Sequence, residues 1–317
     1  MAFSSLLTIL ASLFFLWIGS QLLISGIIKI SNKSGLTRTF VGVTALSICT
    51  NLPEILISYS AAWQQLHGVN ISGLVIGNVV GSNISQITLV IGLVGLTKSI
   101  KVEKKILIKH GLVLLLSTTM FLIFSRDGLI SRSEGLFMII LYLGYFSTLE
   151  SSTAQSMLKA KILKIYKNKR SSAILSSVVG AITMILASHY LVIQMLSLSE
   201  ILGITQTLLG IFLVGLGISL PDLFVIVGAL KRNSASLSLG TLLGSNVVAI
   251  LIALGSSAAL VGWNVERQVA MFDLPFLLLA TVIFLLFLFT RTRLDKKESL
   301  LLIALYVIYA TLKALGF

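Results

Sequence analysis

Two apolar runs in this chain, each long enough to cross a bilayer, carry the same three-residue interruption, and that repetition limits the fold more than any other feature. Leu52-Pro53-Glu54 lies in the run 41–56, and Leu220-Pro221-Asp222 stands in a matching run of the second half. The shift that carries Leu52 onto Leu220 also superposes Gly35-Leu36-Thr37-Arg38-Thr39-Phe40-Val41-Gly42 on Gly203-Ile204-Thr205-Gln206-Thr207-Leu208-Leu209-Gly210 without a gap. A second matched pair follows each acid: Gly77-Asn78-Val79-Val80-Gly81-Ser82-Asn83 and Gly240-Thr241-Leu242-Leu243-Gly244-Ser245-Asn246. The shift between these is slightly smaller, because the intervening loop is shorter in the second half. Two motifs repeated in the same order mark an internal duplication.

Hydrophobic residues make up 56% of the chain and charged residues 11%, with a mean hydropathy of +1.03, which a soluble exterior of this size would not tolerate. The chain therefore reads as an integral membrane protein. Its formal charge of +13 does not indicate nucleic acid, because the Lys and Arg residues cluster between apolar runs without base-stacking aromatics. The single cysteine, Cys49, excludes an intramolecular disulfide, and His67, His110 and His189 have no ligand spacing. Ten spans are expected, at 6–30, 39–63, 71–96, 106–124, 134–149, 174–195, 205–230, 237–260, 274–289 and 299–315. The first has no basic residue ahead of it, is longer than a signal-peptide core, and is expected to be retained.

Twenty of the 24 Lys and Arg residues fall in alternate loops, leaving Arg126, Arg132, Arg267 and Lys313 on the other side. The positive-inside rule then puts both termini outside the cell (plasma or inner) membrane. Five spans per half invert the second half relative to the first. The expected fold is an all-α integral membrane protein with ten transmembrane helices as two inverted-topology repeats of five. The first repeat takes 1–149, a basic cytoplasmic linker 150–172, and the second repeat 173–317. Glu54 and Asp222 would then ride oppositely directed helices and meet near the midplane, an arrangement that recurs in secondary transporters working by alternating access.

Charged groups at bilayer depth cost about 2.5–3.5 kcal/mol on insertion scales, so they usually face a site or an ion path. Of the eleven acids only Glu54 and Asp222 fall deep within spans, and no Lys or Arg lies deep enough to neutralise them. Facing carboxylates at low dielectric must bind cations or protons. Pro53 and Pro221 precede these acids and free the carbonyls four residues back, those of Cys49 and Gly217; Ser47 and Gly215 complete this group of helix-break and backbone-carbonyl positions. Ser47, Thr50, Asn51 and Glu54 share one helical stripe, as do Asn78, Ser82 and Gln86. Hydroxyls, amides, carbonyls and carboxylates are the ligands of hard cations. The glycines at 77, 81, 240 and 244 suit close helix packing.

At these residues the chain resembles the sodium/calcium exchanger family of the calcium/cation antiporter superfamily. That family carries Gly-Thr-Ser-Leu-Pro-Glu and then Gly-Asn-x-x-Gly-Ser-Asn in each half. Cys49-Thr50-Asn51-Leu52-Pro53-Glu54 and Gly217-Ile218-Ser219-Leu220-Pro221-Asp222 match the first motif, and the segments from Gly77 and Gly240 match the second. The resemblance implies antiport of Ca²⁺ against Na⁺ through alternating access. It makes Glu54 and Asp222 the metal-binding acids, with Thr50, Ser82, Ser219 and Ser245 as flanking hydroxyls; Asn51 and Gln86 complete the candidate cation-binding set. The chain departs from the family at Asn51, where Ser is usual, at Ile218, where Thr is usual, and at Gln86 and Ala249, where an Asn or Asp is usual. Two carboxylates in place of three balance one Ca²⁺, two Na⁺ or two protons, which leads to the expectation of a lower coupling ratio and electroneutral exchange.

The expected function is thus secondary active cation antiport, with transported Ca²⁺ and Na⁺ and no cofactor. The partners are inorganic cations and the lipid bilayer, without nucleic acid, and the protein is expected to act as a monomer. A Ca²⁺ or other cation/H⁺ antiporter of the same fold is the main alternative, and a non-transporting relative stands behind it. An intramembrane hydrolase using Glu54 and Asp222 as a dyad fits poorly, since hydrolysis has no need of duplicated Ser/Asn stripes.

Overall fold

The computed structural model describes residues 2–31, 51–97, 100–101, 104–147, 172–220, 223 and 235–316. Among them the chain forms ten helical rods. The first half has α1 (Ala2–Ser31), α2 (Leu52–Leu66), α3 (Ser72–Thr97), α4 (Lys104–Phe124) and α5 (Arg132–Ser147). The second half has α6 (Ser172–Leu202), α7 (Gln206–Leu220), α8 (235–261), α9 (269–291) and α10 (Lys296–Ala314). Each overlaps one of the apolar runs in order. Six contain segments long and apolar enough to cross a membrane: Ala2–Leu23, Ser72–Thr97, Leu107–Phe124, Ile174–Leu202, Leu242–Val261 and Val269–Thr290. The segment 39–50, the linker but for Ser172, and the region around Pro221 and Asp222 lie outside the described residues.

The register that relates the sequence motifs also relates structural features. A π-helical segment interrupts α3 at Gln86–Val90 and another interrupts α8 at Ala249–Leu254, and the shift that carries Gly77 onto Gly240 carries Gln86 onto Ala249. Two short antiparallel ladders join the halves crosswise: β1 (Ile100–Lys101) pairs with β4 (Arg293–Leu294), and β2 (Leu129–Ile130) with β3 (Trp263–Asn264). The same shift sets the start of β1 on the start of β3, and one further position sets β2 on β4. Each ladder therefore ties the strand after the third helix of one half to the strand after the fourth helix of the other.

The helix starts repeat as well. Ser131 accepts from the Glu134 amide at 3.3 Å while its own amide donates to Glu134 Oε2 at 2.7 Å, a capping box opening α5. Asp295 and Glu298, which stand in the register of β2 and β4, form the capping box of α10, with the Asp295 amide donating to Glu298 Oε2 at 2.9 Å.

α3 runs through the interior: of Ser72–Ser85, every residue but Gly73 is buried. What allows a neighbouring helix to lie against it is the absence of side chains. A methyl group on Gly81 would stand 2.5 Å from Ile211 Cα of α7, and one on Gly215 of α7 would stand 2.6 Å from the Ser82 amide. Elsewhere α1 lies on α6, where a methyl on Gly180 would stand 2.6 Å from the Gly19 carbonyl oxygen, and Ser60 of α2 meets Ser188 of α6 at 2.8 Å. The outer faces are apolar, with Phe3, Phe14, Ile174 and Ile182 exposed.

The Gly81 contact is a test of the interior. Gly81→Val inserts three carbons against backbone that cannot retreat, and overpacking of this kind costs about 1–3 kcal/mol. Thermal unfolding of detergent-solubilised protein is expected to show a lowered midpoint for Gly81→Val and an unchanged one for Gly144→Ala, whose surroundings are open.

Candidate cation site

Asn51 is the N-cap residue of α2, and Pro53 occupies its first turn, where a missing amide hydrogen leaves no helical bond unmade. This places Glu54, also in the first turn, at the positive end of α2, a favourable place for a carboxylate. Glu54 is 2% exposed and Asn51 1%. Burial of an acid at the start of an interior helix, rather than on a solvated face, is what a cation site at bilayer depth requires.

Neutral oxygen groups from three other helices gather near this helix start. Ser245 of α8 donates to Asn51 Oδ1 at 2.7 Å. Asn246 Nδ2 of α8 donates to Gln86 Oε1 of α3 at 2.7 Å. Ser85 of α3 donates to Ser219 Oγ of α7 at 3.0 Å, and Ser219 donates in turn to the Gly215 carbonyl at 2.7 Å. Ser82 turns its hydroxyl hydrogen to the Val79 carbonyl at 3.2 Å, so its lone pairs point away from its own backbone. Helices α2, α3, α7 and α8 are thus linked through hydroxyl and amide groups.

Of the residues singled out from the sequence, Asn51, Gln86, Ser219 and Ser245 belong to this linked set, and Glu54 and Ser82 are buried on the same helices. Gly217 faces α1, where an added methyl would stand 2.8 Å from Leu13 Cδ1. Thr50, Asp222, Pro221, Cys49 and Ser47 lie outside the described residues. The two departures in the second half are apolar here as well: Ile218 packs against the core, and Ala249, which opens the π segment of α8, is 4% exposed.

The structure adds groups that spacing does not single out. Ser85 bridges to Ser219, and Asn246 bridges to Gln86; Asn246 is visible in the sequence as part of a repeated motif. Away from this set, the sequence places Asp273 at a span end, yet it is fully buried. It accepts from Lys313 Nζ at 2.6 Å and from Tyr309 Oη at 2.8 Å, within an aromatic enclosure that includes Phe272 and Phe276. Lys313, near the end of α10, is buried with it at 3% exposure, its charge matched by Asp273. The first half has a related pair, in which His110 Nδ1 meets Tyr145 Oη. The repeat register sets His110 on Asp273 and Tyr145 on Tyr309.

The architecture and this group of residues can be set beside known proteins. The family model described as sodium/calcium exchanger protein matches residues 4–149 and 172–315. The chain belongs to the sodium/calcium exchanger family. It is 28% identical over 342 residues to the sodium/calcium exchanger MaX1 of Methanosarcina acetivorans, covering 96% of each chain. Its fold is similar to that of the sodium–calcium exchanger NCX_Mj, with a TM-score of 0.64, 27% identity and 98% and 99% of the two chains covered. It is also similar to the H⁺/Ca²⁺ exchanger CAX, with a TM-score of 0.78 over 97% of this chain and 82% of that one, a likeness of fold alone at 18% identity. As a member of this family the chain is a multi-pass membrane cation antiporter; the family consists of secondary transporters rather than enzymes.

Proposed function

We propose that this antiporter exchanges Ca²⁺ for Na⁺ at one site near the middle of the membrane, with Glu54 and Asp222 as its two carboxylates. The observation that carries the proposal is the burial of Glu54 in the first turn of α2, one turn from an Asn51 joined to Ser245 of the other half. A dehydrated Ca²⁺ needs about six to eight oxygens, more than two acids supply. Ser82, Ser219 and Ser245, with Thr50 and the carbonyls of the interrupted helices, supply the rest. The carbonyls would come from Ser47, Cys49, Gly215 and Gly217.

Recurrence of π segments, ladders and capping boxes in the same order and within one position of the same shift supports a reading of the chain as two inverted repeats of five helices, with the boundaries 1–149 and 173–317. In such a protein the two halves present the shared site alternately to each face. The close glycine-mediated contact of α3 with α7 at Gly81 and Gly215 would allow the movement. We place the protein in the cell membrane with both termini outside, following the distribution of basic residues, and take the single chain, which carries both halves of the site, as the working unit.

The apolar Ile218 and Ala249 take oxygens from the second half, which favours weak Na⁺ binding as a second reading, with protons as counter-ion. Radiolabelled Ca²⁺ uptake into proteoliposomes distinguishes the two. The account expects uptake with an outward Na⁺ gradient, and little with an outward H⁺ gradient or with none. Uptake driven by the H⁺ gradient alone would transfer the assignment to Ca²⁺/H⁺ exchange, and absence of uptake in all three arms would leave no transport function. With two carboxylates balancing the cargo, an imposed potassium diffusion potential is expected to leave the rate unchanged.

A further inference from the structure

The repeated segment that opens the seventh span contains Thr205-Gln206-Thr207, and the proposed cation site makes no use of it. In the structure this segment starts α7. Thr205 caps the helix by accepting from the Leu208 amide at 3.2 Å, and Gln206 Nε2 donates to the Asn70 carbonyl, just before α3, at 3.0 Å. Thr207 is enclosed, at 1% exposure. Its backbone lies on α3, where a methyl on Gly77 would stand 2.4 Å from the Thr207 carbonyl oxygen. Its hydroxyl donates to Glu266 Oε1 at 2.6 Å, the short distance of a charge-assisted bond. Gly73 of α3 makes room for the pair: a methyl there would stand 2.7 Å from Thr207 Oγ1 and 3.0 Å from Glu266 Oε1.

Glu266 is exposed, but it stands on a well-braced loop between α8 and α9. Val265 donates its amide to the Gly128 carbonyl at 2.8 Å, beside the ladder of β2 and β3, and the Glu266 carbonyl accepts from the Ala270 amide at 3.1 Å as α9 begins. Gln268 Nε2 donates to the Gly316 carbonyl at 2.9 Å. The loop is thus a fixed post to which the Thr207 bond moors the start of α7. Both partners of the bond recur in the sequence. The shift that carries Leu52 onto Leu220 carries Thr39 onto Thr207, and the shift that carries Gly77 onto Gly240 carries Val102-Glu103 onto Val265-Glu266. Thr39 and Glu103 lie outside the described residues, but a donor and an acceptor kept once per half suit a part of the transport cycle better than an incidental surface contact.

We propose that Glu266 is a positioning residue for exchange: by accepting the Thr207 hydroxyl it holds the start of α7 on α3, and so sets the rate of the cycle without touching the cargo. The inference rests on the exchange reading above and deepens it. Thr207 lies about 18 Å along α7 from Ser219, at about 1.5 Å per residue, too far for Glu266 to ligate a cation there. A helix loose at one end transmits movement at its other end poorly, so the bond acts on rate and not on cargo affinity.

Glu266→Ala removes the acceptor from an exposed position, and Glu266→Gln restores an acceptor oxygen without the charge. In proteoliposomes, with the outward Na⁺ or H⁺ gradient that drives Ca²⁺ uptake by the unsubstituted protein, Glu266→Ala is expected to lower the maximal rate about fivefold and to leave half-saturating Ca²⁺ within about twofold. Glu266→Gln is expected to recover most of the rate. Should Glu266→Ala fail to fold, Thr207→Val and Thr207→Ser supply the same comparison from the donor side, and the Glu266→Ala, Thr207→Val double variant is expected to be no slower than either single one. An unchanged rate in Glu266→Ala overturns the proposal. So does a Glu266→Gln variant as slow as Glu266→Ala, which would make the charge and not the bond responsible, or a change confined to half-saturating Ca²⁺. Absence of uptake by the unsubstituted protein under either gradient overturns the exchange reading itself, and is told apart because no variant is needed to see it.

Discussion

Glu54→Gln is expected to abolish cation exchange while leaving the protein folded in the membrane. The substitution keeps the shape of the side chain and removes its charge. At 2% exposure a neutral amide is easier to bury than a carboxylate, so stability should hold or rise. Binding should not. A unit charge in direct contact with a divalent ion, at an effective dielectric of about 20, is worth several kcal/mol. Each 1.4 kcal/mol is about a factor of ten in affinity, so Ca²⁺ uptake should fall by at least about 100-fold. Ca²⁺ uptake normalised to reconstituted protein checks this, with size-exclusion behaviour in detergent as the folding control. Uptake within twofold of the unsubstituted protein would show that Glu54 does not touch the cargo.

The second large effect concerns stability and lies outside the proposed site. Lys313→Met leaves Asp273 buried beside Tyr309 without its cation, and breaking a buried pair from one side costs about 3–5 kcal/mol. Exchanging both partners for neutral groups, as in the Asp273→Asn, Lys313→Met double variant, removes the stranded charge and should recover most of the loss. Unfolding of detergent-solubilised protein is expected to rank the unsubstituted chain and the double variant close together, with Lys313→Met well below. A single variant no less stable than the double one would mean that water or another group reaches Asp273.

Why the acid in α2 can be found from sequence, and this ion pair cannot, is a matter of context. Glu54 interrupts a long apolar run, so its burial is visible in one dimension. Asp273 and Lys313 each stand near the end of a helix, far apart in the chain, and it is tertiary packing, with α9 against α10, that encloses them. The ten apolar runs are legible for the same reason Glu54 is: each carries its own hydrophobic signal. The π segments carry none. Their positions at Gln86 and Ala249 emerge only because the spacing between motifs can be compared with the spacing between irregularities.

The amides show a further limit. Periodicity correctly puts Asn78, Ser82 and Gln86 on one stripe of α3, but a stripe gives direction and not polarity. Which end of Gln86 faces Asn246 depends on the Leu242 carbonyl one turn below, a backbone contact invisible to spacing. Asn246 and Ser85, each making a bond between helices, belong to the same class of residue: present in or beside the motifs, with roles set by tertiary structure.

The most direct measurement is diffraction from crystals grown with Sr²⁺ in place of Ca²⁺, using the anomalous signal to place the ion. The account requires one principal peak between the halves, within direct coordination distance of the Glu54 carboxylate and with Asp222 and hydroxyls from both halves around it. A well-ordered peak elsewhere, with Glu54 enclosed by protein alone, would contradict it.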